Sequence, residues 1–351
     1  MPSPTTPAGE SSGRAARWTG IAGLGGSGVL RWWTLHDVDP GAVVAHAGRA
    51  RIGWLAAAVV LATLTFPLRT LRWRLILRDV DGHRLPLGPL WRAVAVGFMA
   101  NNLLPARAGE VARAYMANRL LPVRFTTALA SIGVERVFDG LVMAGLIAVG
   151  VTLPSFPRQA TIEGLPVARV VLTLGVLFGV ALVVALLVVH RPGFWLGLAR
   201  RVLARILPDA AARRLLAIAE GLVAGLAVLT HPGRFAGVVA WSLVLWGVNA
   251  TSFWAAFRAF GLAVPPEAAL VLQGLIGFGV AVPASPGFVG VFEAVTRVTL
   301  AFYAVPADLA VSYAVTYHVT TFIPITVLGL VALSRAHVGL RELRASHPAG
   351  A

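Results

Sequence analysis

Polar side chains gather at two interruptions of otherwise apolar sequence. The first reads Asn101-Asn102-Leu103-Leu104-Pro105-Ala106-Arg107-Ala108-Gly109-Glu110 and continues to Arg113. The second reads Pro283-Ala284-Ser285-Pro286-Gly287-Phe288, then Gly290 and Glu293. Pro and Gly free backbone groups that lipid cannot hydrogen-bond, so such breaks at membrane depth must face protein or a wet cavity. Ser285 can cap a helix starting at Pro286 and aim its first N–H groups at an anion. Glu110 and Arg113 stand three apart, Glu293 and Arg297 four apart, and Glu135 and Asp139 four apart beside Arg136; each spacing shares a helical face. A charge isolated at mid-bilayer costs at least ~2.5 kcal/mol, so these groups are expected to pair or to face a cavity. Arg107, Arg113 and Arg136 suit a phosphate, with Glu110, Glu135, Asp139 and Glu293 as counter-charges or proton carriers.

Each reading has a plainer counterpart. Glu135-Arg136 could be an ion pair at a helix end, His318 a satisfied histidine on an apolar helix, and Asn101 and Asn102 packing residues between helices. Trp32, Trp33, Trp73 and Trp91 read most simply as anchors at the membrane interface.

The elements that must position these groups are membrane helices. Of the 351 residues, 57% are hydrophobic and 13% charged, against roughly 25% charged in a soluble domain, which excludes a soluble enzyme. The basic residues are all Arg, thirty against fifteen acidic. They crowd at Arg69, Arg72, Arg74, Arg78, Arg84 and Arg92, and again at Arg191, Arg200, Arg201, Arg205, Arg213 and Arg214. That is the pattern of loops facing a cytoplasm and anionic headgroups, not of a nucleic-acid surface. Using Arg without Lys points to a GC-rich bacterial genome. There is no cysteine, which removes disulfides, thiolate metal sites and cysteine nucleophiles. No metal-ligand spacing, cofactor motif or nucleophile–base pair is visible, so neither metal nor cofactor is expected.

Residues 1–17 read as a disordered tail. Apolar runs near 18–35, 52–71, 137–153, 169–189, 235–256 and 309–333 each approach the ~20 residues needed to cross ~30 Å of hydrocarbon, giving about six spanning helices. The stretches 89–118 and 268–305, each broken by Pro and Gly, are predicted to be re-entrant helical hairpins. Residues 190–233 alternate Arg with Leu, Ala and Trp at helical spacing and should lie along the cytoplasmic interface. Placing the N-terminus inside puts most of the thirty arginines on the cytoplasmic side, with the 334–351 tail there too. The hairpins then enter from opposite sides. Because Leu-Pro-Ala and Val-Pro-Ala are each followed two residues on by Gly, the halves form an inverted repeat, the architecture of many secondary transporters. The fold class is therefore an all-α polytopic membrane protein, placed in the cell inner (plasma) membrane.

Four ordered strings resemble the lysylphosphatidylglycerol synthase transmembrane family, also described as flippase-like. They are Arg-x-x-Arg-Trp-Arg at Arg69–Arg74, the Asn102–Glu110 string with Arg113, Glu135-Arg136-Val137-Phe138-Asp139-Gly140, and Pro283-x-Ser285-Pro286-Gly287-x-x-Gly290-x-x-Glu293. The resemblance covers residues 18–335 and implies a domain, 18–333, that handles lipids. In multiple peptide resistance factors such a domain moves aminoacylated phospholipids between leaflets, while a separate soluble domain adds the amino acid. The eighteen residues after Leu333 are too short for that domain, so lysyl transfer is not expected.

The expected partner is thus a membrane phospholipid or lipid-linked substrate whose headgroup passes between the two hairpins. The alternative is an intramembrane transferase acting on a lipid carrier, with Glu110 or Glu135 as general base and His318 as its partner, or a subunit serving a lipid-modifying enzyme. A second copy of the chain is a further partner the sequence allows.

Overall fold

The computed structural model describes residues 25, 28–79, 81–104, 108–162, 164–226, 230–280 and 285–336. Pro105, Arg107 and Pro283 lie outside these residues, as do the 1–17 tail and most of the 334–351 tail. The elements are α1 (28–35), α2 (Pro40–Gly48), α3 (Ile52–Ile76), α4 (Leu87–Leu103), α5 (Ala108–Leu120), α6 (Phe125–Thr152), α7 (Val167–His190), α8 (Pro192–Ile206), α9 (Asp209–Leu226), α10 (Pro232–Phe260), α11 (Ala268–Gly279), α12 (Val291–Ala301) and α13 (Ala307–Arg335). A two-residue pair, β1 (Thr161–Ile162) with β2 (Leu165–Pro166), turns the chain between α6 and α7.

This is an all-α, multi-pass membrane protein. Among the described residues, α3, α7, α10 and α13 are long and apolar enough to cross a membrane. α6 has 28 residues, about 42 Å at 1.5 Å per residue, but carries Glu135, Arg136 and Asp139 near its middle. The expected span at 137–153 coincides with the second half of this helix and takes in Asp139, beyond which the helix is apolar to its end at Thr152. Of the expected span at 18–35, only residue 25 and α1 are described. α7 leaves Leu172, Val176 and Leu187 more than half exposed, as a helix bathed in lipid should.

Both expected hairpins form. α4 and α5 flank the first break, and α11 and α12 flank the second. The order long helix, hairpin, long helix occurs twice, as α3–α4–α5–α6 and α10–α11–α12–α13, and the packing follows the same scheme in each. α3 packs on α4 and α10 on α11; α5 packs on α6 and α12 on α13. Each hairpin also packs on the last helix of the other half, α4 on α13 and α11 on α6, so six helices close into a cycle of neighbours. α3 lies against α10.

Glycines make these seams close, because without hydrophobic drive membrane helices associate through small residues. A Cβ on Gly329 of α13 would sit 2.6 Å from the Ala95 carbonyl of α4, and one on Gly150 of α6 would meet the Val271 side chain of α11 at 2.5 Å. The segment expected along the interface is the helix pair α8 and α9, with α9 on α6 and α8 on α9.

Candidate functional site

The end of α3 corrects the reading of the arginines and of Trp73. The helix runs to Ile76, five residues past the expected boundary, so Arg69 and Arg72 are not loop charges: they are 7% and 0% exposed. Trp73 is fully buried, not an interfacial anchor. Its indole N–H donates to Ser131 of α6 at 2.8 Å, and the Arg113 guanidinium lies 3.7 Å from its ring.

An ionic cluster joins α3, α5, α6 and α10. Arg72 donates to Asp139 at 2.5 Å and to the Ser242 hydroxyl at 3.0 Å, and it lies 3.4 Å from Glu135. Arg113 donates to the other Glu135 oxygen at 2.6 Å. Trp246 donates its indole N–H to Asp139 at 2.8 Å. Arg136 reaches Asp139 at 3.4 Å and Glu110 at 3.7 Å, on the more exposed side. Glu135 therefore stands mid-helix and fully buried, where the plainer reading placed a helix end. Glu110 and Arg113 share a face of α5 as predicted, yet each faces a partner on α6.

Arg69 differs from its neighbours. Its one ionic approach is to Asp139 at 3.9 Å, and it makes no hydrogen bond among the described residues. Its guanidinium lies over the rings of Trp246 at 4.4 Å and Phe98 at 5.0 Å. It lines a cavity of about 220 Å³ between α3, α4, α10, α11, α13 and the second break, with Asn102, Asn249, Gln273, Gly287 and His318 in the same wall. Four guanidiniums, Arg69, Arg72, Arg113 and Arg136, thus face three carboxylates, Glu110, Glu135 and Asp139. A buried cation without a hydrogen-bonded partner on a cavity wall is the arrangement that receives an anion.

The second break carries its own pair. His318 on α13 lies with Nδ1 2.6 Å from Glu293, whose other oxygen accepts the Gly290 N–H at 2.6 Å. His318 borders the central cavity and also a neighbouring hollow of about 490 Å³, lined by Arg31, Thr34, Glu293 and Phe322 among others. Two expectations change here. No α-helix starts at Pro286: Pro286–Phe288 is a single 3-10 turn whose N-cap position is Ser285, and the Ser285 hydroxyl donates to the Val289 carbonyl at 2.8 Å and makes no side-chain cap. The helix starts at Val291, and Glu293 in its first turn accepts the N-cap Gly290 N–H, so this helix start carries its own carboxylate. Nor do Glu293 and Arg297 pair, because Arg297 turns away to Asp37 at 2.5 Å.

At the first break, Asn101 accepts the Gly109 N–H at 3.0 Å, and Asn102 donates to Thr326 of α13 at 2.8 Å. Both asparagines fix helices, and Asn102 also borders the cavity. Sequence reasoning left Arg69, Arg72, Ser242 and Trp246 out of the site. The available signal was Arg69 and Arg72, three apart at the end of an apolar run.

Comparison with known proteins gives two findings. Residues 20–329 match the family model described as lysylphosphatidylglycerol synthase TM region. The chain is 31% identical over 302 residues to the protein named Glycosyltransferase AglD of Haloferax volcanii, an alignment covering 78% of this chain and 47% of that protein. The chain therefore spans about half the length of the curated relative it matches.

Proposed function

The chain belongs to the lysylphosphatidylglycerol synthase transmembrane family, and on that premise we propose that it takes a phosphate-bearing lipid headgroup into the cavity between its hairpins and passes it between leaflets. The observation that carries this reading is Arg69, a buried cation on the cavity wall that has no hydrogen-bonded partner among the described residues. Arg72, Arg113 and Arg136 are balanced by Glu110, Glu135 and Asp139, so that Arg69 leaves one positive charge in excess beside the cavity. Asn249, Gln273 and Thr321 supply neutral polar groups to a headgroup, and the surrounding rings of Phe66, Phe98 and Phe322 suit acyl carbons. The orientation that obeys the arginine bias puts both termini in the cytoplasm of a plasma membrane.

The experiment is headgroup accessibility in reconstituted vesicles. Labelled phospholipid in the inner leaflet becomes accessible to an impermeant quencher with the parent chain, and Arg69→Gln abolishes that exposure. Equal rates for parent and Arg69→Gln would remove the cavity from the pathway.

A second reading rests on the name of the Haloferax relative: the chain would be the membrane half of a machine that glycosylates a lipid carrier. Lipid extracts of a deletion strain separate the two. A missing glycolipid species favours the transferase reading, and a species present but confined to one leaflet favours translocation.

A further inference from the structure

A second hollow, of about 470 Å³, opens away from the central cavity, where α3 ends and α10 begins. Arg78, Arg84 and Arg234 line it, with Leu75, Thr230 and His231. The sequence between α3 and α4 forces two of these arginines together, because Arg78 and Arg84 face each other across an antiparallel backbone bridge. Asp79 holds that turn shut. Its carboxylate accepts the N–H groups of Asp81 at 3.0 Å and His83 at 2.6 Å and lies 3.4 Å from the His83 ring. The nearby acid is thus committed to its own loop and does not line the hollow.

The three guanidiniums make no hydrogen bond or ion pair among the described residues, and Nε of Arg78 is buried without a partner. Burial, then the like charges of Arg234, Arg84 and Arg74, pull the Arg78 guanidinium below its ordinary range. α10 adds to this potential. Its 29 residues begin here, and its N-cap residue His231 supplies no side-chain cap, so the first N–H groups of a long helix point to the same place. Arginines that only orient a chain need nearness to one leaflet, not to one another. Convergence of like charges on one hollow is unfavourable unless an anion sits between them.

We propose that this hollow is a second anion site, separate from the central cavity, that takes the phosphate of a lipid headgroup from the leaflet at that end of the bundle. A basic pocket between membrane helices at the interface suits such a headgroup. The shared chemistry is a phosphate, and the occupant's source decides whether it is a lipid or a soluble ion.

The test is binding of a fluorescent phosphatidylglycerol to the full chain in phosphatidylcholine nanodiscs. It is repeated on Arg69→Gln, which removes the cavity cation and leaves this hollow intact. A charge near the membrane surface is worth ~1 kcal/mol, so Arg84→Gln and Arg234→Gln should each weaken binding about fivefold. Arg200→Gln, an exposed arginine on α8, should not. Arg84 is also exposed on its turn, so its variant remains informative if Arg234→Gln fails to fold. Displacement of the probe by millimolar inorganic phosphate keeps the site and makes its occupant soluble. Equal weakening by Arg200→Gln and Arg84→Gln, or none by either hollow variant, would overturn the proposal.

Discussion

Gly287, in the second break, lies against the backbone carbonyl of Asn102 at the edge of the first. A Cβ on Gly287 would sit 3.4 Å from that oxygen and 2.7 Å from the Phe322 ring. The two interruptions, 185 positions apart in the chain, therefore meet inside the bundle, and the cavity lies where they meet. Gly287 also has a φ of +67°, which costs a side chain ~1–2 kcal/mol. Gly287→Ala is expected to lower the thermal midpoint in detergent and to slow headgroup exposure together. A variant that melts and transports like the parent would show that the breaks need not touch.

Arg69 and Arg72 stand one helical turn apart, yet opposite outcomes are expected on stability. Arg72 satisfies Asp139 and approaches Glu135, both buried. Removing one partner of a buried pair costs ~3–5 kcal/mol, so Arg72→Gln should fold poorly or melt far earlier. Arg69 is desolvated with a single 3.9 Å ionic approach among the described residues, so Arg69→Gln should melt at or above the parent's midpoint while losing lipid exposure. Paired melting curves and exposure rates decide it; a joint fall in both for Arg69→Gln would make that residue structural.

The seams between the halves can be probed at glycines. Gly329→Ala brings a Cβ within 2.3 Å of the Met99 Cβ and 2.6 Å of the Ala95 carbonyl, an overpacking expected to cost ~1–3 kcal/mol. Gly247→Ala, on α10 with nothing within 4 Å, should instead leave the melt unchanged or raise it. Reversal of this order in a thermal unfolding series would contradict the α4–α13 contact.

A pH effect is expected where α1 meets α12. Arg297 donates to Asp37 and to the Thr34 carbonyl, tying the end of α1 to the hairpin. The Arg297 guanidinium holds the Asp37 carboxyl below its ordinary value of 3.8. A depressed carboxylate stabilises the fold above its unfolded value, and that contribution fades as pH falls through the folded one. The tie should thus persist from neutral pH to about 4 and loosen below it. Hydrogen exchange over 33–39 at neutral and at acid pH reads this directly, and Asp37→Asn should exchange quickly at both.

The hairpins were legible because Pro and Gly interrupt apolar runs, and few other arrangements shelter such a break. Spacing also placed Glu110 with Arg113 and Glu135 with Asp139 on shared faces. Helical period says nothing about which neighbouring helix supplies the partner, so the crossed pairing of Arg113 with Glu135 and Arg72 with Asp139 was invisible. Arg69 was hidden for a related reason. A hydropathy boundary drawn at residue 71 puts it at the water's edge, whereas tertiary pairing lets α3 carry its charges five residues deeper. Glu293 offered Arg297 four residues on, but a backbone N–H at Gly290 and a histidine on α13 were nearer.

The exchange of hairpins has a consequence for the order in which this protein can be built. Asn102 donates to Thr326, 224 residues later. At ribosomal speeds of about 5–20 residues per second, that partner reaches the membrane roughly 10–45 s after α4 does. Throughout that interval the first hairpin sits in the bilayer with the Asn102 amide unclaimed and one flank bare. A newborn chain of this kind needs something to hold that flank, an insertion machine or another protein, until its last long helix arrives to take the place.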